Sequence, residues 1–255
     1  MDRPRPVLEG EQGVSAEMRR KRLRFECEPV ADESAVGAFT AACHRHRLRS
    51  IASGLEGGGI RLSRPGSIQV APPATLDAAA HVMRVDPGKL RAVAFTATER
   101  RDRVALGDLV MPRVAFDWER RRIGPITLRG RPHHRVAWLN LLLPYCPESL
   151  ELLVDACPEC GPLGWRYTRG VAACEECGST VPPSDQASLE TEFADDYRHF
   201  ADLVSRDTAA TPAPVRRLPA NLHLFSRTAL VGVLLRAGIV HAELGITPAA
   251  TGPRS

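Results

Sequence analysis

Hydrophobic positions recur along the chain with helical spacing in several separate stretches. Val36, Phe39, Ala42 and Cys43 fall on one stripe, which predicts a helix over 33–48, with Asp32 and Ser34 in front as capping candidates. Leu76, Ala79, Ala80 and Met83 form a second stripe, and Leu90, Val93 and Ala94 a third. Thr75 can cap the first of these two helices, which runs through Met83. Asp86 can cap the other, with Pro87 in its first turn. Two short helices around a tight turn over 75–96 look like a helix-turn-helix, a pattern shared by many packed helical hairpins. Leu189, Phe193, Tyr197, Phe200 and Val204 predict an amphipathic helix over 186–204, whose other face carries Glu190, Glu192, Asp195, Asp196 and Asp202. A last apolar helix or helix pair is expected over 222–240, around Leu224, Leu230, Leu234 and Leu235.

Between these stretches the pattern breaks. Gly54, Gly57, Gly58 and Gly59 read as a linker, because no Gly-Lys-Ser/Thr follows to make a phosphate loop. Residues 97–136 are arginine-rich and irregular, and Pro112, Pro125 and Pro132 rule out a long helix. The apolar run VAWLNLLLPYC then enters the core beside the cysteines. Residues 208–220 are a Thr/Ala/Pro linker. The expected fold is mainly α with a small zinc-ribbon β element. It divides into a basic arm (1–24), a helical region (25–130), a cysteine-bearing region (131–183), C-terminal helices (184–247) and a tail (248–255).

Composition narrows the class. The chain has 255 residues, 44% hydrophobic and 25% charged, enough apolar content for real cores. No apolar run approaches the ~18–20 residues of a membrane span, and the N-terminus lacks a secretory signal, so a cytoplasmic location is expected. The net charge of +4 conceals an asymmetry. Residues 1–136 hold 25 Lys/Arg against 16 Asp/Glu, a balance of +9, and residues 137–255 hold 9 against 14, a balance of −5. Only Lys21 and Lys89 are lysines; the remaining cations are arginines, which grip phosphate bidentately. The first half is therefore expected to contact DNA through Arg19–Arg24, Arg45–Arg49 and Arg120–Arg122. The second half is left for protein partners, through Asp195 and Asp196.

Seven cysteines in a reducing compartment favour metal binding over disulfides. Cys157-Pro-Glu-Cys160 and Cys174-Glu-Glu-Cys177 stand thirteen residues apart, each followed by glycine, Gly161 or Gly178. That is zinc-ribbon spacing, and four thiolates close one tetrahedral Zn2+ site with no position open for water. The predicted metal is a single structural zinc, and Trp165, Tyr167, Thr168 and Val171 suit a hairpin between the knuckles. Cys146 with His133 and His134 offers material for a second zinc; the alternative is that Cys146 packs as a small hydrophobe. Cys27 and Cys43 are expected to be inert. No nucleophile–base signature, phosphate loop or open metal site occurs, so a nonenzymatic role is expected.

The run RVAWLNLLLPYCPESLELLVDACPECGPLGW, completed by Cys174 to Gly178, resembles the zinc-binding centre of the TniQ family of transposition target-selection proteins. The family motif is an apolar run ending in Cys-Pro-x-His, then Leu-Leu, then a Cys-Pro-x-Cys-Gly ribbon. Cys146 and Pro147 match its start, Leu152 and Leu153 its middle, and Cys157 through Gly161 the ribbon. The helix opening at Glu33-Ser34 and the helical pair at 75–96 are similar to the family's N-terminal region. The chain departs from the pattern at Ser149, where the family usually places a zinc-binding histidine. It also lacks the upstream Cys-x-x-Cys, with none in Gly130 to His134. The resemblance thus implies a first finger that has lost its metal and is shaped by packing. It implies an adaptor that binds DNA, or a DNA-bound targeting complex, and recruits a transposition ATPase and transposase, with homo-oligomers open. A DNA-binding transcriptional regulator and a zinc-ribbon protein-interaction module are the alternatives.

Overall fold

The computed structural model describes residues 22–182, 188–205, 226 and 228–233. Most of the basic arm, the 208–220 linker, the larger part of the 222–240 stretch and the tail lie outside the described residues. Helices dominate, joined by a few short antiparallel strands. No described helix is long and apolar enough to cross a membrane.

The N-terminal unit contains α1 (Ala35–Arg45), α2 (Ile51–Gly57), α3 (Pro73–Met83) and α4 (Pro87–Ala92). Ser34 caps α1 as expected, its hydroxyl accepting the Gly37 N–H. Asp86 caps α4 through the N–H groups of Gly88 and Lys89, with Pro87 opening the helix. Two expectations fail here. Thr75 does not cap α3, which starts two residues earlier at Pro73 after Pro72. The glycine-rich linker begins inside α2 instead: Gly54 is buried, and a Cβ there would lie 2.7 Å from Cys43 Sγ. Glycine is the residue that lets α2 approach α1 this closely. Phe39, Cys43, Ile51, Ile68, Met83 and Leu90 centre one core under these helices.

Residues 97–136 are more ordered than their arginine content suggests. β1 (Thr96–Ala97), β2 (Arg103–Leu106) and β3 (Leu109–Pro112) form an antiparallel sheet in that order, with Leu106 opposite Leu109 across a tight turn. Val104, Leu106, Leu109 and Met111 alternate inward, the period-two pattern of a half-buried hairpin. The sheet forms a second core with Phe95, Phe116, Trp118, Leu139 and Leu143. α6 (Ala194–Val204) closes it with Ala201, Leu203 and Val204, while Glu190, Glu192, Asp195, Asp196 and Asp202 stay exposed. Thr228 to Val233 are helical and add Val231 to the same core.

A third core surrounds the cysteines. It is built from Ile123, Leu128, Trp138, Cys146, Leu163 and the knuckle residues Cys157 and Cys174, and so begins upstream of residue 131. It takes in α5 (Pro125–Gly130), β4 (Ala156–Cys157) and β5 (Gly161–Pro162). The run VAWLNLLLPYC feeds two of the three cores, through Trp138 and Cys146 on one side and Leu139 and Leu143 on the other.

Candidate metal centre

β4 and β5 pair across the first knuckle, with Cys157 opposite Gly161, whose φ of +96° needs glycine. A bridge between Ala173 and Thr180 frames the second knuckle, closed by Gly178 at φ +82°. Each hairpin therefore wraps its own Cys-x-x-Cys. The segment between them, expected as a strand pair, instead runs out to α1 and α2. The sulfurs of Cys157, Cys160, Cys174 and Cys177 all lie within 4.8 Å of one another, with Cys157 and Cys174 buried and Cys160 and Cys177 exposed. Cys157 Sγ is 3.7 Å from Cys177 Sγ. A disulfide needs ~2.05 Å. A tetrahedron with Zn–S bonds of ~2.3 Å has sulfurs about 3.8 Å apart. The four residues fit a metal ion, and among the described residues they are the one such group.

The protons of this cluster point the same way. The Ser179 hydroxyl and backbone N–H aimed at Cys177 push its thiol down to about 6. The bond from Cys160 to Cys177 pushes the Cys160 thiol up to about 12. A divalent cation is what allows neighbouring thiols to ionise together. Arg121 lies behind the second knuckle with no exposure, donating to the carbonyls of Gly170 (3.1 Å) and Ala173 (2.7 Å) and set against the Trp165 ring. It has no ion-pair partner among the described residues. The nearby Glu175 carboxylate and the Cys174 sulfur supply the negative field on it, and a four-thiolate zinc centre, with a charge of about −2, would add to that field.

Arg121 and Arg122 were expected on a DNA-contacting surface, and the structure takes both inward. Arg122 donates to the carbonyls of Asn140 (2.8 Å) and Leu143 (2.7 Å), tying the 3₁₀ turn Val136–Leu139 to the finger. Arginine is suited to this because its fork satisfies several carbonyls at once.

His133, His134 and Cys146 are not brought together as a second ligand set. His133 Nε2 lies 2.8 Å from Asp32 Oδ1. His134 is fully buried; its Nε2 donates to the Arg122 carbonyl (2.9 Å), and its Nδ1 accepts from Ser34 Oγ (2.8 Å). Burial, helped by Arg121, pushes His134 down to about 3, so it is a neutral pillar between α1 and the edges of Trp138 and Trp165. Gly37 makes that approach possible, because a Cβ there would sit 2.7 Å from that of His134.

A second pair of turns packs beside the four-cysteine cluster. Cys146 is fully buried, with its Sγ 3.2 Å from Thr127 Oγ1. Thr127 Oγ1 is also 2.9 Å from Ser149 Oγ and 2.9 Å from Glu151 Oε1. The Glu151 carboxylate accepts the N–H groups of Ile126 and Thr127, both at 2.8 Å, at the start of α5. A Cβ on Gly124 would lie 2.7 Å from Glu151 Oε1. Gly124-Pro-Ile-Thr127 and Cys146-Pro-Glu-Ser149 are thus two facing turns, tied together by the Glu151 carboxylate, the hydroxyls of Thr127 and Ser149, and the Cys146 thiol. Gly124, Thr127 and Glu151 carry no metal-ligand signature in the sequence. The signal available was the shared x-Pro-x-x frame with Cys157-Pro-Glu-Cys160.

The metal centre is stitched to the N-terminal unit. Ser50 bridges Tyr167, the Thr168 N–H donates to the Arg49 carbonyl (3.2 Å), and the Thr168 hydroxyl bonds the Leu48 carbonyl. Trp165, from between the knuckles, packs into the core beneath α1–α4. No protein-family model matches the chain, and no protein of curated function matches it.

Proposed function

We propose that this chain is a nonenzymatic zinc-binding adaptor of the TniQ type. It holds DNA, or a DNA-bound targeting complex, and recruits a transposition ATPase and transposase to the target. The observation that carries this reading is the four-sulfur cluster, together with its attachment to the N-terminal helices. Cys157, Cys160, Cys174 and Cys177 would hold Zn2+, and a site closed by four sulfurs supplies shape and charge rather than an activated water. The metal-free knuckle pair at Gly124–Thr127 and Cys146–Ser149 supports the resemblance from a part of the chain outside the ribbon.

The α3–α4 hairpin is a packing element in this reading. A base-reading helix needs side chains free to enter a groove. α4 has six residues, and its cations are committed: Lys89 pairs with Glu28, and Arg91 with Asp77 at 2.7 Å. Recruitment would fall to the exposed acidic face of α6.

The test is binding of the zinc-loaded full chain to duplex DNA, combined with capture of the ATPase where transposase and ATPase genes flank its own. DNA binding without such neighbours turns the reading toward a transcriptional regulator. Absence of DNA binding turns it toward a protein-interaction module.

A further inference from the structure

The stitch between α1 and the ribbon gathers arginines that the chain keeps far apart. His44 and Arg45 end α1, where cations suit the helix dipole. Arg47 and Arg49 lie beyond the helix, so the dipole does not account for them. Arg47 is exposed at φ +55°, in the left-handed turn that directs the chain toward α2. From the ribbon side come Arg166 and Arg169, both exposed. Arg49 and Arg169 line one cavity of about 390 Å³ with Tyr167, Thr168 and Glu176. None of the four arginines forms an ion pair among the described residues, although Arg64, Arg91, Arg100, Arg131, Arg135 and Arg198 all do.

We propose that this seam, formed by Arg47 and Arg49 with Arg166 and Arg169, binds the phosphodiester backbone of duplex nucleic acid. The inference rests on the DNA-binding reading above and assigns it a place. Arg49 and Arg169 line the depression, where Glu176 is the one carboxylate, and Arg47 and Arg166 stand two and three residues from them in the chain; guanidiniums without ion pairs suit bidentate phosphate oxygens. The Arg166 guanidinium lies over the Tyr167 ring, 5.2 Å from its centroid, so that ring face is not free for a stacked base. This favours a duplex backbone over an unstacked single strand. The site therefore positions the protein on DNA without reading sequence, and it draws on both halves of the chain.

The experiment is fluorescence anisotropy of the zinc-loaded full chain on two unrelated short duplexes across a salt series. Arg49→Gln/Arg169→Gln should lower the slope of log affinity against log salt by about two and weaken both duplexes equally. Arg101→Gln/Arg129→Gln, which removes two exposed charges elsewhere, should keep the wild-type slope. Zinc content and circular dichroism report folding, and Arg47→Gln/Arg166→Gln serves as a second seam variant if the first folds poorly. Equal losses in the seam and control variants would reduce the effect to net charge and overturn the proposal. So would wild-type affinity in both seam variants, which leaves DNA binding intact but locates it elsewhere. Tighter binding to a single strand that is lost in Tyr167→Leu, or loss of an acidic peptide with DNA binding kept, would overturn it in favour of those ligands. A wild-type chain that binds no duplex removes the DNA reading and this site together.

Discussion

Replacing Glu151 with alanine tests whether the first finger is held by hydrogen bonds in place of a metal. The side chain is buried, at 5% exposure, and accepts two backbone N–H groups and the hydroxyls of Thr127 and Ser149. Those hydroxyls already lie 2.9 Å apart and can bond each other when the carboxylate is gone. The N–H groups of Ile126 and Thr127 have no replacement, and each orphaned buried donor costs about 1–3 kcal/mol. The expected loss is roughly 2–5 kcal/mol, a large fraction of the ~5–15 kcal/mol margin of an ordinary domain. Glu151→Gln keeps one acceptor and turns a donor toward the other N–H, so it should cost about half as much. Denaturant unfolding gives the magnitude. Hydrogen exchange at the Ile126 and Thr127 amides locates it, and both should lose protection while the zinc content stays unchanged. A change within about 0.5 kcal/mol, the range of an ordinary surface substitution, would refute the network as what holds the finger.

Three further outcomes follow from the metal centre and its surroundings. Metal analysis of the purified chain should give about one equivalent of zinc, and Cys160→Ser should abolish it and locally unfold the ribbon; two equivalents would contradict the hydrogen-bonded finger. Arg121→Met should speed zinc loss to a chelator, because it removes the buried positive charge beside the second knuckle; an unchanged rate would assign Arg121 to packing alone. His134, held near 3 in the fold, takes up a proton on unfolding below its ordinary value of 6.5. Its stabilising contribution is therefore full above pH 6.5 and falls by about 1.4 kcal/mol per unit as pH drops toward 3. The stability difference between wild type and His134→Asn should narrow over that window, and a difference independent of pH would refute the neutral-pillar role. Burial pushes Glu33 up to about 7, which gives the opposite sign. Its contribution is full below 4.5 and lost as pH rises through 7, so the two slopes offset each other between about 4.5 and 6.5.

The elements legible in the sequence were those whose signals are local. The α1 stripe with its Ser34 cap and the α4 cap at Asp86 depend on residues within one turn. The double Cys-x-x-Cys depends on spacing alone, and its four sulfurs meet. The β2–β3 hairpin was obscured because its inward residues are interleaved with Arg103 and Val110 rather than with a clean polar face. Gly54 read as a breaker because a glycine needed for helix–helix approach and a glycine needed for a turn look the same in one sequence. The buried arginines were misread for a related reason. Composition counts the charge, while burial depends on whether carbonyls from Trp138, Asn140, Leu143, Gly170 and Ala173 converge on it, and those come from elsewhere in the chain.

The division into a basic half and an acidic half also changes meaning in three dimensions. A cut after residue 136 separates Trp165 from the helical core, Phe116 from its bridge partner Asn140, and Ser50 from Tyr167. It also divides Arg135 from Glu148, a pair at 2.8 Å whose arginine side chain is 6% exposed. Neither half contains a complete core, so charge counted along the chain does not describe two independent surfaces. The chain instead places the loop Trp165–Arg169, which lies between the two Cys-x-x-Cys knuckles, directly on the end of α1. Removing the metal would free that loop at one end, and His44, whose Nδ1 lies 2.9 Å from the Thr168 carbonyl, would lose its ribbon partner along with the Arg49 backbone. A zinc held by the four cysteines would fix the spacing of the exposed arginines on either side of the seam. Its loss should therefore reach the proposed arginine seam before it reaches the distant β1–β3 sheet, which packs in a separate core.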